Sequence, residues 1–253
     1  MDNDWLKDYF DEDYLYLYKT RLGSERTSFE VDFLIQRVFD QETRQILDIP
    51  CGFGRHAELL AQRKYIVKGV DNSKLMIQEA SKRLSKLSKG IQKRLDYEIS
   101  DMRVFSKPDS FDAVLNLFTS FGYFENSKEN KMVLENLCIS AKVGGIVVLD
   151  IRNLALDITE FSSSNWTRES KIDDVTVVQK LDPISYRHTL TYRYQKEGKK
   201  KEKVAVFQEY SLSEIKMMFK ENNCVVEKTF GNFRGESYTP ESQRLIVVAR
   251  RNK

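Results

Sequence analysis

Cysteine and histidine are scarce in this 253-residue chain. Cys51, Cys138 and Cys224 lie far apart, form no CxxC pair and are odd in number. Neither a disulfide framework nor a structural zinc site is expected from such a set. Only His56 and His188 offer imidazole, so no metal centre is expected. Long apolar runs are also missing, since none approaches the ~18 residues of a membrane span. The start, Met1-Asp2-Asn3-Asp4-Trp5, lacks the basic residues and apolar stretch of a signal peptide. The expected compartment is therefore the cytoplasm. No charge sign is in marked excess: 41 Lys and Arg face 38 Asp and Glu, a formal net charge of +3. That balance gives little pull toward nucleic acid or a membrane surface. What is present is an ordinary globular mixture, 41% hydrophobic and 11% aromatic. It can build a sizeable core and excludes a largely disordered chain. The length favours one large domain, or one domain with an appendage.

The first ~45 residues read as helical and rich in aromatics, from Trp5 and Tyr9 to Tyr18. Val31, Leu34, Ile35 and Val38 form an apolar stripe at helical spacing. A strand–helix alternation follows. Gln45–Ile49, Ile66–Val70, Tyr97–Ile99, Phe111–Leu117 and Ile146–Asp150 read as strands. Between them lie helices bearing Ala57, Leu60 and Ala61, then Ile77, Ala80, Leu84 and Leu87, then Leu134, Leu137, Cys138 and Ala141. Ser73 is a candidate N-cap. Lys142-Val143-Gly144-Gly145 is expected to end the third of these helices. Such alternation implies βαβ units and a mainly parallel sheet. From about 165 to 210 the pattern changes to β-branched runs without helices, which predicts an antiparallel insertion. The Glu197–Lys201 stretch is expected at its hairpin tip, as a solvated turn. Ser211-Leu212-Ser213-Glu214 is a capping-box pattern, and Val225-Val226 and Leu245–Ala249 supply closing strands.

The stretch that carries chemistry is Asp48-Ile49-Pro50-Cys51-Gly52-Phe53-Gly54-Arg55-His56-Ala57. A strand, a Gly-x-Gly turn and a helix place a ligand at the strand's C-terminal edge. Gly52, Gly54 and Ala57 also satisfy a loose dinucleotide pattern, which alone is weak. Asp48 discriminates, because its carboxylate would repel a pyrophosphate but favour the ammonium and sulfonium of S-adenosylmethionine. Asp71 ends the second strand, where an acidic side chain can accept both ribose hydroxyls. Asp101 and Met102 follow the third strand and are placed to meet an adenine.

These motifs make the chain resemble class I S-adenosylmethionine-dependent methyltransferases, in particular a bacterial small-molecule group. The shared segments are Leu47 to His56, Asp101-Met102-Arg103, Asn116 to Phe124 and Ser242 to Arg250. The resemblance implies an α/β fold with a Rossmann-like seven-stranded sheet, mostly parallel with its last strand antiparallel, helices on both faces and an antiparallel β insertion. It implies a helical N-terminal lid over 1–45 and a methyltransferase domain over 46–253. Carried across position by position, it assigns Asp48, Cys51, Gly52 and Gly54 to the methionyl end of the cofactor. Asp71 and Asn72 fall to the ribose, and Met76, Asp101 and Met102 to the adenine. Leu117 and Phe118 would lie near the sulfonium, with Tyr18 and Arg26 as clamps for the carboxylate. The product would be S-adenosyl-L-homocysteine.

The acceptor is less legible. Tyr9, Tyr14, Phe121, Tyr123, Arg152 and Tyr186 are candidate pocket residues, and the insertion is expected to wall that pocket. Tyr123 and His188 are candidate catalytic groups; an exposed strand histidine is the competing view of His188. His56 suits a structural hydrogen-bond role. Cys51 follows Pro50 but sits in the cofactor turn, where a small filler suffices. Cys138 and Cys224 read as core. Asn116-Leu117-Phe118-Thr119 lacks the paired prolines of enzymes that methylate flipped adenine or glutamine. Since no base is evident, transfer to a nitrogen of a small molecule is favoured over transfer to oxygen. The alternatives are an RNA methyltransferase and a non-catalytic cofactor-binding protein. A monomer or homodimer is expected, without a membrane partner.

Overall fold

The computed structural model describes residues 9–18 and 22–253. Trp5 and the other residues of the expected lid before Tyr9 or at 19–21 lie outside the described residues. Five parallel strands form the centre: β1 (Gln45–Asp48), β2 (Ile66–Asp71), β3 (Leu95–Ile99), β4 (Phe111–Asn116) and β5 (Ala141–Ile151). Two later strands, β10 (Cys224–Phe230) and β11 (Leu245–Arg251), complete a seven-stranded sheet in the order β10-β11-β5-β4-β1-β2-β3. β11 runs antiparallel to both of its neighbours, as expected.

Successive strand residues point to opposite faces, and here both faces are covered. On one face Leu47, Val114 and Val147 pack with Leu134 and Cys138 of α5 (Ser127–Ser140) and Phe219 of α7 (Leu212–Glu221). On the other, Ile46, Ala113 and Val148 pack with Val31 of α2 (Ser24–Phe33) and Leu60 of α3 (Arg55–Gln62). α2 runs on into a π-helical turn at Leu34–Val38. Caps lie where the sequence placed them. Ser73 accepts from the Met76 amide at the start of α4 (Lys74–Leu84), and Ser211 and Glu214 form the reciprocal box of α7.

One helix end differs from expectation. α5 stops at Ser140, and Ala141 turns extended to pair with Phe111. Lys142–Gly145 therefore does not end the helix. It forms a bulge inside β5, since Ala113 next pairs with Ile146.

A separate four-stranded antiparallel sheet comprises β6 (Thr167–Ile172), β7 (Val175–Leu181), β8 (Arg187–Lys196) and β9 (Lys199–Gln208). It follows α6 (Leu154–Ser162). β6 was not anticipated, and every one of its residues is exposed, which explains its missing apolar alternation. The hairpin tip is Glu197-Gly198 alone, while Lys199 to Lys203 lie within β9. Nor is this lysine run simply solvated. Lys201 pairs with Asp13 at 2.7 Å and Lys203 with Asp11 at 2.8 Å. From β8, Lys196 reaches Asp13 at 2.6 Å. α1 (Glu12–Tyr18) is thus fastened to this sheet, with Leu17 and Tyr18 packed against Val177, Tyr192 and Tyr194.

The two sheets meet where the Gln208 amide donates to the Gly122 carbonyl at 2.8 Å. Gly122 has φ of 103°, and a Cβ there would lie 2.2 Å from the Gln208 carbonyl oxygen. Gly122→Ala should therefore destabilise the protein by about 2–4 kcal/mol, from backbone strain and a contact that cannot rotate away. Denaturant unfolding of the two proteins measures the difference.

Candidate active site

A cavity of about 610 Å³ opens at the C-terminal ends of β1, β2 and β4. This is the place that an open α/β sheet offers to ligands, and the volume suits a small-molecule site. Of the residues expected there, Cys51, Gly52, Asp71, Asn72, Asp101, Met102, Leu117, Phe118, Tyr14 and Tyr123 line it. The two glycines of the turn do different work. Gly52, with φ of 54°, lines the cavity and has open space where a Cβ would be. Gly54 does not line it; with φ of 78°, its missing Cβ leaves room for Tyr97, whose hydroxyl would stand 2.1 Å away.

Asp71 organises the rim. One carboxylate oxygen accepts from the Gly52 amide and the other from the Ser73 amide, each at 2.8 Å. Burial raises its pKa to about 6, against the pull of those two amides. Asp48 lies behind the turn, 1% exposed and outside the cavity lining. Neither of its oxygens meets hydrogen-bond geometry with a protein donor. Burial raises its pKa to about 7; Arg55 opposes this and Asp71 adds to it. A buried carboxylate with only the Ala57 amide for support, beside a glycine turn, suits a cationic ligand. The residues present therefore fit S-adenosylmethionine. Met76 is fully buried beneath the rim, whereas Asn72, Ser73, Lys74 and Leu75 face the cavity.

Asp101 is less free than its position suggested. Its carboxylate is forked by Arg103 at 2.6–3.1 Å, and Arg103 also reaches Glu129 at 2.6 Å. Arg103 and Arg55 both line the cavity and were not singled out from sequence. Arg55 pairs with the buried Glu30 and donates to Thr27 at 3.2 Å. His56 meets the same Glu30 at 2.9 Å, which bears out its structural role. Burial and Arg55 push the His56 pKa down to about 4. Burial alone would raise Glu30, but His56, Arg55 and Arg26 hold it below the usual carboxylate range. Burial pushes the Cys51 thiol well up, so it stays protonated and is no nucleophile.

Several expected pocket residues lie elsewhere. Arg26 is engaged with Glu30 at 2.8 Å and stands 5.2 Å over the Phe118 ring, outside the lining. Tyr18 stacks on Tyr14 at 4.4 Å, and its hydroxyl lies 2.6 Å from that of Tyr192. Tyr9 packs edge-on against Phe10 and Tyr14, which themselves face the cavity. Phe121 belongs to the core beside Tyr210, because the chain turns inward after Ser120. Tyr186 sits in the turn before β8, away from the cavity.

His188 is neither an exposed strand residue nor a cavity group. It is fully buried, its Nδ1 2.5 Å from Glu209, and it stacks on Phe207. Burial and Arg152 depress its pKa to about 3. Arg152 is likewise spent, on Asp157 at 2.7 Å and Glu209 at 3.0 Å. Asp157, His188 and Glu209 come close enough to suggest a metal site, but the Arg152 guanidinium already pairs with both carboxylates. The four-stranded sheet contributes no lining residue either. It backs the roof instead, through Tyr192 against Tyr18 and Phe207 against Tyr123 at 6.1 Å.

Residues 46–145 match a family model described as a methyltransferase domain. Together with the sheet order and the cavity, this domain supports an S-adenosylmethionine-dependent methyltransferase enzyme, and the fold is similar to that of class I methyltransferases. It is similar to glycine N-methyltransferase of Rattus norvegicus, 25% identical over an alignment of 235 positions that covers 86% of this chain and 78% of that protein. The CcbJ methyltransferase of Streptomyces caelestis superposes with a TM-score of 0.76 at 14% identity, over 90% of each chain. An amino pentose methyltransferase of Micromonospora echinaspora, solved with S-adenosylmethionine bound, gives 0.65 at 19% identity, covering 94% of this chain and 96% of its own. Among the described residues no helix is long and apolar enough to cross a membrane.

Two variants test the rim. Asp71→Ala should weaken S-adenosylmethionine binding by roughly 2–4 kcal/mol, the scale of lost hydrogen bonds to a charged group; titration calorimetry reads it. Asp48 binds its proton more tightly folded than unfolded, so the stability this brings is lost as pH rises through about 7. Asp48→Asn should therefore stabilise the ligand-free protein by about 1–3 kcal/mol at pH 8. The advantage should vanish only below about pH 3, where the carboxyl is largely protonated in both the folded and the unfolded parent. Thermal melts across that range check the sign.

Proposed function

We propose that this enzyme transfers the methyl group of S-adenosylmethionine to an amine of a small molecule held under the N-terminal segment. The observation that carries this reading is that the titratable groups described in the cavity are engaged, the Asp71 carboxylate by the Gly52 and Ser73 amides and Asp101 by Arg103. His56 is tied to Glu30, the Cys51 thiol is protonated, and burial raises both Tyr14 and Tyr123 above the usual phenol range. Asp11 is held by Lys203. A hydroxyl acceptor would need a base, whereas a neutral amine brings its own lone pair. The glycine and amino pentose acceptors named for two similar proteins are amines too.

When bound, the cofactor supplies an electrophilic methyl carbon on a sulfonium. In this reading Asp71 and Asn72 hold the ribose and Asp101 with Met102 the adenine. Gly52 and Cys51 border the methionyl chain, and Asp48 provides negative potential behind it. Leu117 and Phe118 bound the space beside the sulfur. Phe10, Tyr14 and Tyr123 cover the acceptor and exclude water, so alignment and desolvation are the residues' main contributions. With the cofactor bound, the acceptor nitrogen would take the methyl carbon as the C–S electron pair returned to sulfur, and the proton released from the new ammonium would pass to solvent. The described part of residues 1–45 acts as the lid; within it, the Phe10 carbonyl accepts from the Ser73 hydroxyl at 3.0 Å, joining roof to rim.

Transfer to RNA finds less support, because Lys196, Lys201 and Lys203 are neutralised by Asp13 and Asp11. Incubation with methyl-labelled cofactor and fractionated cell extract tests the proposal. Label should enter the low-molecular-weight fraction as a methylamine. Label confined to nuclease-sensitive material would overturn the reading.

A further inference from the structure

Phe118, which lines the cavity, and Thr119 next to it adopt a backbone conformation that their side chains oppose. Phe118 has φ of 62° and Thr119 of 57°. The left-handed region is costly for bulky and β-branched residues, and it persists only where neighbours enforce it. The enforcing groups come from two distant strands. The Asp150 Oδ2, at the end of β5, accepts from the Phe118 amide at 2.8 Å, and the Asp150 carbonyl accepts from the Thr119 amide at 2.9 Å. Arg244, just before β11, donates from Nε to Asp150 Oδ1 at 2.8 Å and from Nη2 to Thr119 Oγ1 at 2.9 Å. Asp150 is 1% exposed, and the Arg244 guanidinium lies 2.7 Å from its carboxylate.

We propose that Asp150 and Arg244 form a positioning pair that holds Phe118 and Thr119 left-handed and so sets the wall beside the reacting atoms. This inference rests on the methyl-transfer reading of the cavity. The consequence of the hold is visible in the Phe118 ring. It lines the cavity between the guanidinium groups of Arg26 at 5.2 Å and Arg55 at 5.3 Å, with Tyr18 edge-on at 6.0 Å. Relaxation of Phe118 toward an ordinary backbone would swing that ring out of its slot. The loop closes immediately afterwards, where the Ser120 hydroxyl donates to the Leu117 carbonyl at 2.8 Å. A wall so held fixes the approach of an acceptor, and misplacement by an ångström is enough to slow an aligned displacement. Neither Asp150 nor Arg244 lines the cavity, so the pair acts through the loop and not on the substrate.

The test uses the full chain with Arg244→Gln, Arg244→Lys, and Arg244→Gln combined with Thr119→Gly. Amide hydrogen exchange at Phe118 and Thr119 should quicken about tenfold in Arg244→Gln, as the hold loosens. S-adenosylhomocysteine affinity by calorimetry should stay within about twofold of the parent, while transfer of labelled methyl to the small-molecule fraction at saturating cofactor slows about tenfold. Arg244→Lys keeps the charge but not the fork, so it should fall between; it also serves if the glutamine variant folds poorly. Thr119→Gly should restore most of the lost rate, because glycine adopts the left-handed region without penalty. Parental exchange and parental rate in Arg244→Gln would overturn the proposal, and so would a double variant as slow as the single one. If the parent binds S-adenosylhomocysteine yet labels nothing, the methyl-transfer reading falls, and the exchange at the two amides alone decides the pair.

Discussion

The Asp71 carboxylate joins the first two parallel strands at their ligand-binding ends. By accepting the Gly52 and Ser73 amides, it fixes the glycine turn after β1 and the helix start after β2 relative to each other. Ser73 in turn caps α4 and donates to the Phe10 carbonyl, so floor, rim and roof share one short chain of hydrogen bonds. The cost of burying this carboxylate shows in its raised pKa. Buried polar groups are worth that cost only when their partners are in place, and here the partners are backbone amides that cannot move away.

A second buried carboxylate gives the site its cationic side. Glu30 gathers Arg26, Arg55 and His56 from α2 and the start of α3. Desolvated charges hold one another only when several contacts cooperate, and this cluster places two guanidinium groups on the Phe118 ring. His56 is therefore a strut and not a catalyst, in keeping with its depressed pKa.

What the sequence made legible was local. The Asp48 to Ala57 turn, the Ser73 cap, the Ser211–Glu214 box and the strand alternation each depend on residues a few positions apart, and each stands as expected. What escaped depends on which charge meets which. His188 and Arg152 read as available groups because Asp157 and Glu209, which consume them, lie up to 57 positions away. Arg244 meets Asp150 across 94 positions and Thr119 across 125. Phe121 could not be separated from Tyr123 by pattern, since the turn that buries one and exposes the other to the cavity lies between them at Gly122. β6 escaped for the opposite reason: with both faces exposed, it has no apolar signature to read.

The fastening of α1 to the four-stranded sheet divides the molecule's labour. The ceiling of the cavity hangs from Asp11, Asp13 and Tyr18, and their partners are on β8 and β9. The floor is made by the ends of β1, β2 and β4, which share no strand with that sheet. Substitutions in β8 or β9 away from the Gln208–Gly122 junction can thus raise, lower or tilt the ceiling while leaving the floor strands in place. One scaffold of this kind can drift between acceptors of different girth over evolutionary time while its cofactor half stays under separate constraint.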